Sequence, residues 1–100
     1  MILAGTIRAA LLFSGVTYYA AAEDQPVRAW AAACATCHGT RGVSGSSIPS
    51  LAGRDAEELY RRLLEFKSDK RLGTVMNQHA KGYADSELKQ LAEYFSAQSQ

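Results

Sequence analysis

Cys34-Ala35-Thr36-Cys37-His38 places two thiols three positions apart, with an imidazole directly after the second. Three chemistries use such a set: a zinc site, a redox disulfide, or the covalent attachment of a haem. Zinc takes about four nitrogen or sulfur ligands. Beyond the motif the chain downstream offers only His79 and Met76, it has no second C-x-x-C, and adjacent Cys37 and His38 are awkwardly placed to face one tetrahedral ion. A thioredoxin-like dithiol starts a helix after a strand, where the helix N-terminus lowers the thiol pKa. Here the cysteines fall at the end of an expected helix, with no strand before it. C-x-x-C-H is the attachment signature of c-type haem. Two thioether bonds would tether the vinyl-derived edges of the porphyrin, and His38 would offer its imidazole to the iron.

With His38 on one side of the iron, the other side is open to water, His79 or Met76. Methionine often fills irregular gaps in a core, and that is the plain alternative for Met76. It is, however, the only methionine after the initiator, and it is expected in a loop well downstream of the motif. A thioether favours ferrous iron, so a Met/His pair raises the reduction potential. His79 stands in the polar run Asn77-Gln78-His79 and is expected to face solvent. Met76 is therefore the preferred sixth ligand.

These residues need elements to hold them, and the sequence supplies helices and loops with no sustained strand alternation. A first helix is expected from near Pro26, a residue tolerated at the first helical position. Its Val27, Trp30, Ala31 and Cys34 recur at helical spacing. Residues 39–54 are rich in glycine and serine and read as a long irregular loop, of the kind that is usually functional. A second helix opens at Asp55 with Glu58 three places on, a capping-box-like start, and aligns Leu59, Leu63 and Phe66. It ends in the polar stretch 67–71. A last helix is expected from about Asp85 to Ala97, with Leu88, Leu91, Ala92 and Phe95 on one face. The fold class is all-α, a small domain of three to five helices wrapped around one covalently attached haem.

Residues 1–22 differ from the rest, with Arg8 as their one charge and an apolar run leading to Ala20-Ala21-Ala22. This pattern is that of a secretory signal peptide, and the run is shorter than the roughly 20 apolar residues a bilayer crossing takes. Domain expectations are therefore a signal at 1–22 and one haem domain at 23–100, exported to a bacterial periplasm without stable membrane insertion. Residues 23–100 carry ten basic and ten acidic side chains. Nucleic acid, which calls for a strongly basic face, is not an expected partner. So short a chain builds a weak core and usually needs a staple; a Cys34–Cys37 disulfide would close too small a loop to serve.

The helix ending in C-x-x-C-H, the Pro-bearing loop, the middle helix, the methionine segment and the C-terminal helix together resemble class I c-type cytochromes. The likeness covers nearly all of residues 26–97. It implies that Trp30, four before the first cysteine, packs on the C-terminal helix, with Leu91, Tyr94 or Phe95 as its partner. It also implies roles for two residues of Ile48-Pro49-Ser50-Leu51-Ala52-Gly53. The Pro49 carbonyl would accept a hydrogen bond from His38, orienting it and raising its basicity, and Leu51 would cover the haem edge. A narrower similarity, to cytochrome subunits of flavocytochrome c sulfide dehydrogenases, rests on Phe66-Lys67, Arg71, Thr74-Val75-Met76, Ala80-Lys81-Gly82-Tyr83 and Leu91-Ala92-Glu93-Tyr94-Phe95. Asp69 and Leu72 depart from the glycine and proline that the similarity leads one to expect around Arg71.

The resemblance implies a periplasmic carrier of single electrons with one haem c. Its partner would be a redox protein, in the narrower form an FAD-containing, sulfide-oxidising subunit. The alternative is a free carrier serving several oxidoreductases. Either way the chain does no substrate chemistry itself, and a peroxidase or gas sensor would need an open iron site. Arg41, Arg54 and Lys81 are read as solvated charges before haem-propionate partners. Tyr83 is read either as an apolar anchor for the partner or as a ring packed within the monomer.

Overall fold

Pro26 lacks an amide hydrogen, which costs nothing in a first helical turn, and the first helix, α1, spans Gln25–His38. The structure is a computed structural model and describes residues 25–100; the expected signal segment 1–22 lies outside the described residues. Alanine-rich α1 carries the whole C-x-x-C-H motif and stops at Gly39. There φ is +93°, and a Cβ would fall 1.9 Å from the Val43 carbonyl oxygen, so only glycine fits. A single 3-10 turn at Thr40–Gly42 follows, and irregular chain leads on to Asp55.

The second helix, α2 (Ala56–Lys67), is capped as its sequence foretells: the Asp55 carboxylate accepts the Glu58 N–H at 2.9 Å. Glu57 and Glu58 in its first turn also complement the positive end of the helix dipole. The chain then turns through Asp69, whose φ of +65° lies in the left-handed region. A glycine takes that conformation freely, which gives a physical reason for the glycine expected near here and a local cost for Asp69.

Met76 is not in a loop, as its surroundings suggest, but opens a short helix, α3 (Met76–Lys81). The Val75 carbonyl accepts the amides of Gln78 and His79 at 3.0 and 3.1 Å, which winds the turn immediately after the glycine-bearing stretch. The last helix, α4 (Asp85–Ser96), starts with the Glu87 carboxylate accepting the Ala84 N–H at 2.8 Å. No strand occurs among the described residues.

The core joins α1, α2 and α4 through Ala31, Leu59, Leu88, Leu91, Ala92 and Phe95. All four α4 positions foreseen from the sequence are buried. Leu59 is buried as well, while Leu63 and Phe66 are half-buried. Helix α3 rests on α2. Lys67, at the end of α2, donates to the Tyr83 carbonyl at 2.7 Å and to Asp85 at 2.8 Å, fastening α2 to the α3–α4 turn.

Trp30 packs against the core cluster that contains Leu91 and Phe95, but its aromatic neighbour is Tyr83, edge-on at 6.0 Å between ring centres. Tyr94 instead meets Phe95 edge-on at 5.3 Å. The tight turn between α3 and α4 brings Tyr83 over α1, and so its ring serves packing within the monomer.

Candidate functional site

Cys34, Cys37 and His38 belong to one helix at i, i+3 and i+4, so helical periodicity gathers them on neighbouring positions of α1. The two cysteines form no disulfide with each other, and Cys34 is partly covered while Cys37 is exposed. Burial pushes the Cys34 thiol above its ordinary pKa of 9.0, against the opposing effect of a backbone hydrogen bond, and so favours the protonated thiol. Among the described residues no group of three or more His, Cys, Asp or Glu side chains converges on one metal position.

His38 Nδ1 lies 2.7 Å from the Pro49 carbonyl oxygen, as the resemblance implied. A carbonyl only accepts, so Nδ1 is the protonated nitrogen and the lone pair sits on Nε2. That tautomer is the one a metal-binding imidazole needs, oriented from behind by a backbone oxygen. The loop bearing Pro49 is itself pinned. Gly42, buried at φ +82°, offers its carbonyl to the amides of Leu51 (2.8 Å) and Ala52 (3.1 Å). The Ser50 hydroxyl accepts the Ser44 N–H at 2.8 Å, closing the same loop from its other side. Leu51 packs, half-buried, on the core cluster.

Met76 stands on a different element, half-buried at the start of α3, whereas His79 one turn later is exposed. Large apolar side chains reach the surface beside both candidate regions: Ile48 precedes Pro49, Val75 precedes Met76, and Val43 and Leu72 are also exposed. The donor set fits a haem c. It has two thiols at attachment spacing, an imidazole with a free Nε2, a thioether on a separate element, and apolar side chains to flank a flat macrocycle. Cys34 and Cys37 would hold the group covalently, and His38 with Met76 would bind its iron.

The cations considered for propionates are differently engaged. Arg54 pairs with Glu58 at 3.1 Å, Lys81 pairs with Asp69, and Arg41 is exposed with φ +54°. Sequence reasoning missed two residues that organise the site. Asn77 was read only as polar surroundings for His79, yet its amide reaches Gly73, Phe66, Asp69 and Arg71. Nothing in the sequence separates it from Gln78 beside it. Gly42 carried a signal, a glycine four places after the motif histidine, but one diluted by the other glycines of the loop.

Residues 21–95 match the family described as cytochrome c oxidase, cbb3-type, subunit III. The cytochrome subunit of sulfide dehydrogenase from Chlorobaculum tepidum is 50% identical over 62 residues, which make up 62% of this chain and 56% of that one. Cytochrome c-552 of Acidithiobacillus ferridurans is 35% identical over 65 residues, 65% of this chain and 28% of that protein. Among solved structures, cytochrome c4 of Acidithiobacillus ferrooxidans superposes with a TM-score of 0.62 at 35% identity, over 65% of this chain and 38% of its own. The chain thus spans about half the length, or less, of the relatives it matches.

Proposed function

The chain belongs to the c-type cytochrome family described as cytochrome c oxidase, cbb3-type, subunit III, and from that membership we propose that it transfers single electrons through one haem c held by Cys34, Cys37, His38 and Met76. The bound haem supplies one-electron exchange between ferric and ferrous iron. The observation that carries the assignment is the 2.7 Å contact between His38 Nδ1 and the Pro49 oxygen. It holds the imidazole in the metal-binding tautomer and, by accepting a hydrogen bond from Nδ1–H, increases the basicity of Nε2. Met76 would be the second side chain on the iron, and its thioether would favour the reduced state. With His38 and Met76 both engaged with the iron, a small substrate would reach it only by displacing one of them, so the domain would carry electrons without transforming a substrate.

The 50% identity to a cytochrome subunit of sulfide dehydrogenase supports a finer reading. In it, the chain is exported to the periplasm by its first 22 residues and sits beside a flavoprotein that oxidises sulfide. A flavin that takes two electrons from sulfide would pass them on one at a time. Among the described residues no helix is long and apolar enough to cross a membrane.

The test is purification from the source at moderate salt, followed by size exclusion with visible detection. Co-migration of a haem spectrum with a flavin spectrum supports the subunit reading. Migration of the haem protein alone at every salt concentration rejects it and leaves the free carrier. A ferric spectrum lacking the thioether-to-iron band at the red edge would reject Met76 as ligand.

A further inference from the structure

Asn77 directly follows Met76, and its side-chain amide links three stretches of chain. Oδ1 accepts the Gly73 N–H at 2.9 Å. Nδ2 lies 2.8 Å from the Arg71 carbonyl, 3.1 Å from the Phe66 carbonyl and 3.2 Å from Asp69 Oδ1. An amide nitrogen carries two hydrogens and serves two acceptors at once. The carbonyls of Arg71 and Phe66 are the nearer pair, and the Asp69 carboxylate already takes the Lys81 ammonium. The orientation of the amide is fixed by these partners: turned over, it would set a donor against the Gly73 N–H and an oxygen against three oxygens.

The end of α2, the turn at 69–73 and the start of α3 therefore meet on one side chain. The turn in its place bears on Met76. A Cβ on Gly73 would lie 3.4 Å from Met76 Cβ and 3.0 Å from the Phe66 ring, so the turn packs closely against both side chains. Helix α3 has just six residues and no side-chain cap at Val75. A helix that short has no stability of its own in water, so its placement must come from ties such as this one.

We propose that Asn77 is the positioning residue for the sixth ligand: it clamps the 69–73 turn against Met76 and so sets how firmly the thioether is held at the iron. This rests on the assignment of Met76 as ligand. A clamped thioether reaches the iron without first losing freedom, and a freed one competes with water and with added ligands on worse terms.

The experiment uses the haem-loaded protein and the near-isosteric Asn77→Asp, which keeps the acceptor for Gly73 and turns the donor into an oxygen facing two carbonyls. The expected result is a weakened or lost red-edge thioether band at neutral pH and a reduction potential shifted downward. The variant forfeits both part-buried donor bonds to the carbonyls, and carbon monoxide should bind the reduced form more readily by about tenfold or more, tenfold being the factor that one lost hydrogen bond carries. Lys67→Met, which removes the tie to Tyr83 and Asp85, serves as comparator and should lower the thermal midpoint while leaving band, potential and carbon monoxide binding in place. An Asn77→Asp protein with all three readouts unchanged, alongside a Met76→Ala protein that loses the band, overturns the positioning role and leaves the ligand intact. A Met76→Ala protein that keeps the wild-type band overturns the ligand assignment, and this inference falls with it. Should Asn77→Asp fail to load haem, amide exchange in the wild type decides. Protection of the exposed Gly73 N–H supports the clamp, and exchange at the unprotected rate overturns it.

Discussion

Met76 and His79 sit one turn apart on α3 and differ in surroundings: the thioether is half-buried, the imidazole exposed. A half-buried side chain is better placed than an exposed one to meet an apolar macrocycle, which favours Met76 over His79 as the proposed ligand. Met76→Ala should therefore give a water-ligated or high-spin ferric spectrum, a lower potential, and carbon monoxide binding by the reduced form. His79→Ala should leave all three as they are. A low-spin spectrum surviving in Met76→Ala would mean that a nitrogen ligand has moved in, with His79 the first to test by the double variant. The legibility of these residues was uneven, for a physical reason. Cys34, Cys37 and His38 announce themselves because their chemistry demands contiguous spacing, and Pro49 follows once the family is seen. Asn77 and Tyr83 act through partners far along the chain, Phe66 and Trp30, and no local pattern encodes such a meeting.

At the scale of elements, what the sequence states locally it states well. Asp55 caps α2 as written, and the apolar spacing of α4 matches its buried face, because both depend on neighbours within one or two turns. The 39–54 loop was legible only as irregular; its fixing point, Gly42, depends on α4. A Cβ at Gly42 would come within 2.7 Å of the Phe95 ring, at a φ of +82° that side chains resist. Gly42→Ala should cost about 2–4 kcal/mol by overpacking and strain together. Asp55→Ala should cost about 1 kcal/mol as a lost cap. Urea titration of the two holo variants would compare them, and equal midpoints would contradict the pinning of the loop by Gly42. Helix α2 also carries an acid-side sensitivity. The Arg54 hydrogen bond, with the charges of Arg54, Arg62 and Arg61, holds Glu58 below its ordinary 4.5, and Arg71 does the same for Glu65 through a hydrogen bond and its charge. A lowered carboxylate pKa means that the folded state releases the proton more readily. This contribution is therefore present above the ordinary value and disappears as pH falls through the lowered one. Glu58→Gln with Glu65→Gln should flatten the fall in thermal midpoint below about pH 4.5. An unchanged acid slope would show the pairs to be solvent-screened.

For the whole molecule, the decisive quantity is how little apolar volume the chain buries by itself. Among the described residues eight apolar ones are buried, and four of them are alanine, leaving Leu59, Leu88, Leu91 and Phe95 as the large ones. Against this stands a backbone ordering cost of about 1–2 kcal/mol per residue. Chains of this size usually rely on a staple, and in this family a covalently attached haem can serve as one. The same accounting explains the exposed Val43, Ile48, Leu72 and Val75, side chains that gain little from packing on protein alone. Cys34→Ala with Cys37→Ala would remove both proposed attachment points and nothing from the large core residues, and burial of Cys34 is only partial. A purely structural role for the cysteines would thus cost the double variant little. If instead the haem is the staple, the variant expressed without attached haem should show weak helical circular dichroism and no cooperative thermal transition. Wild-type protein with its haem should melt in one step. Native-like helix content and a sharp transition in the haem-free variant would show that the four helices stand unaided, and would reduce the haem to a passenger on a fold built without it.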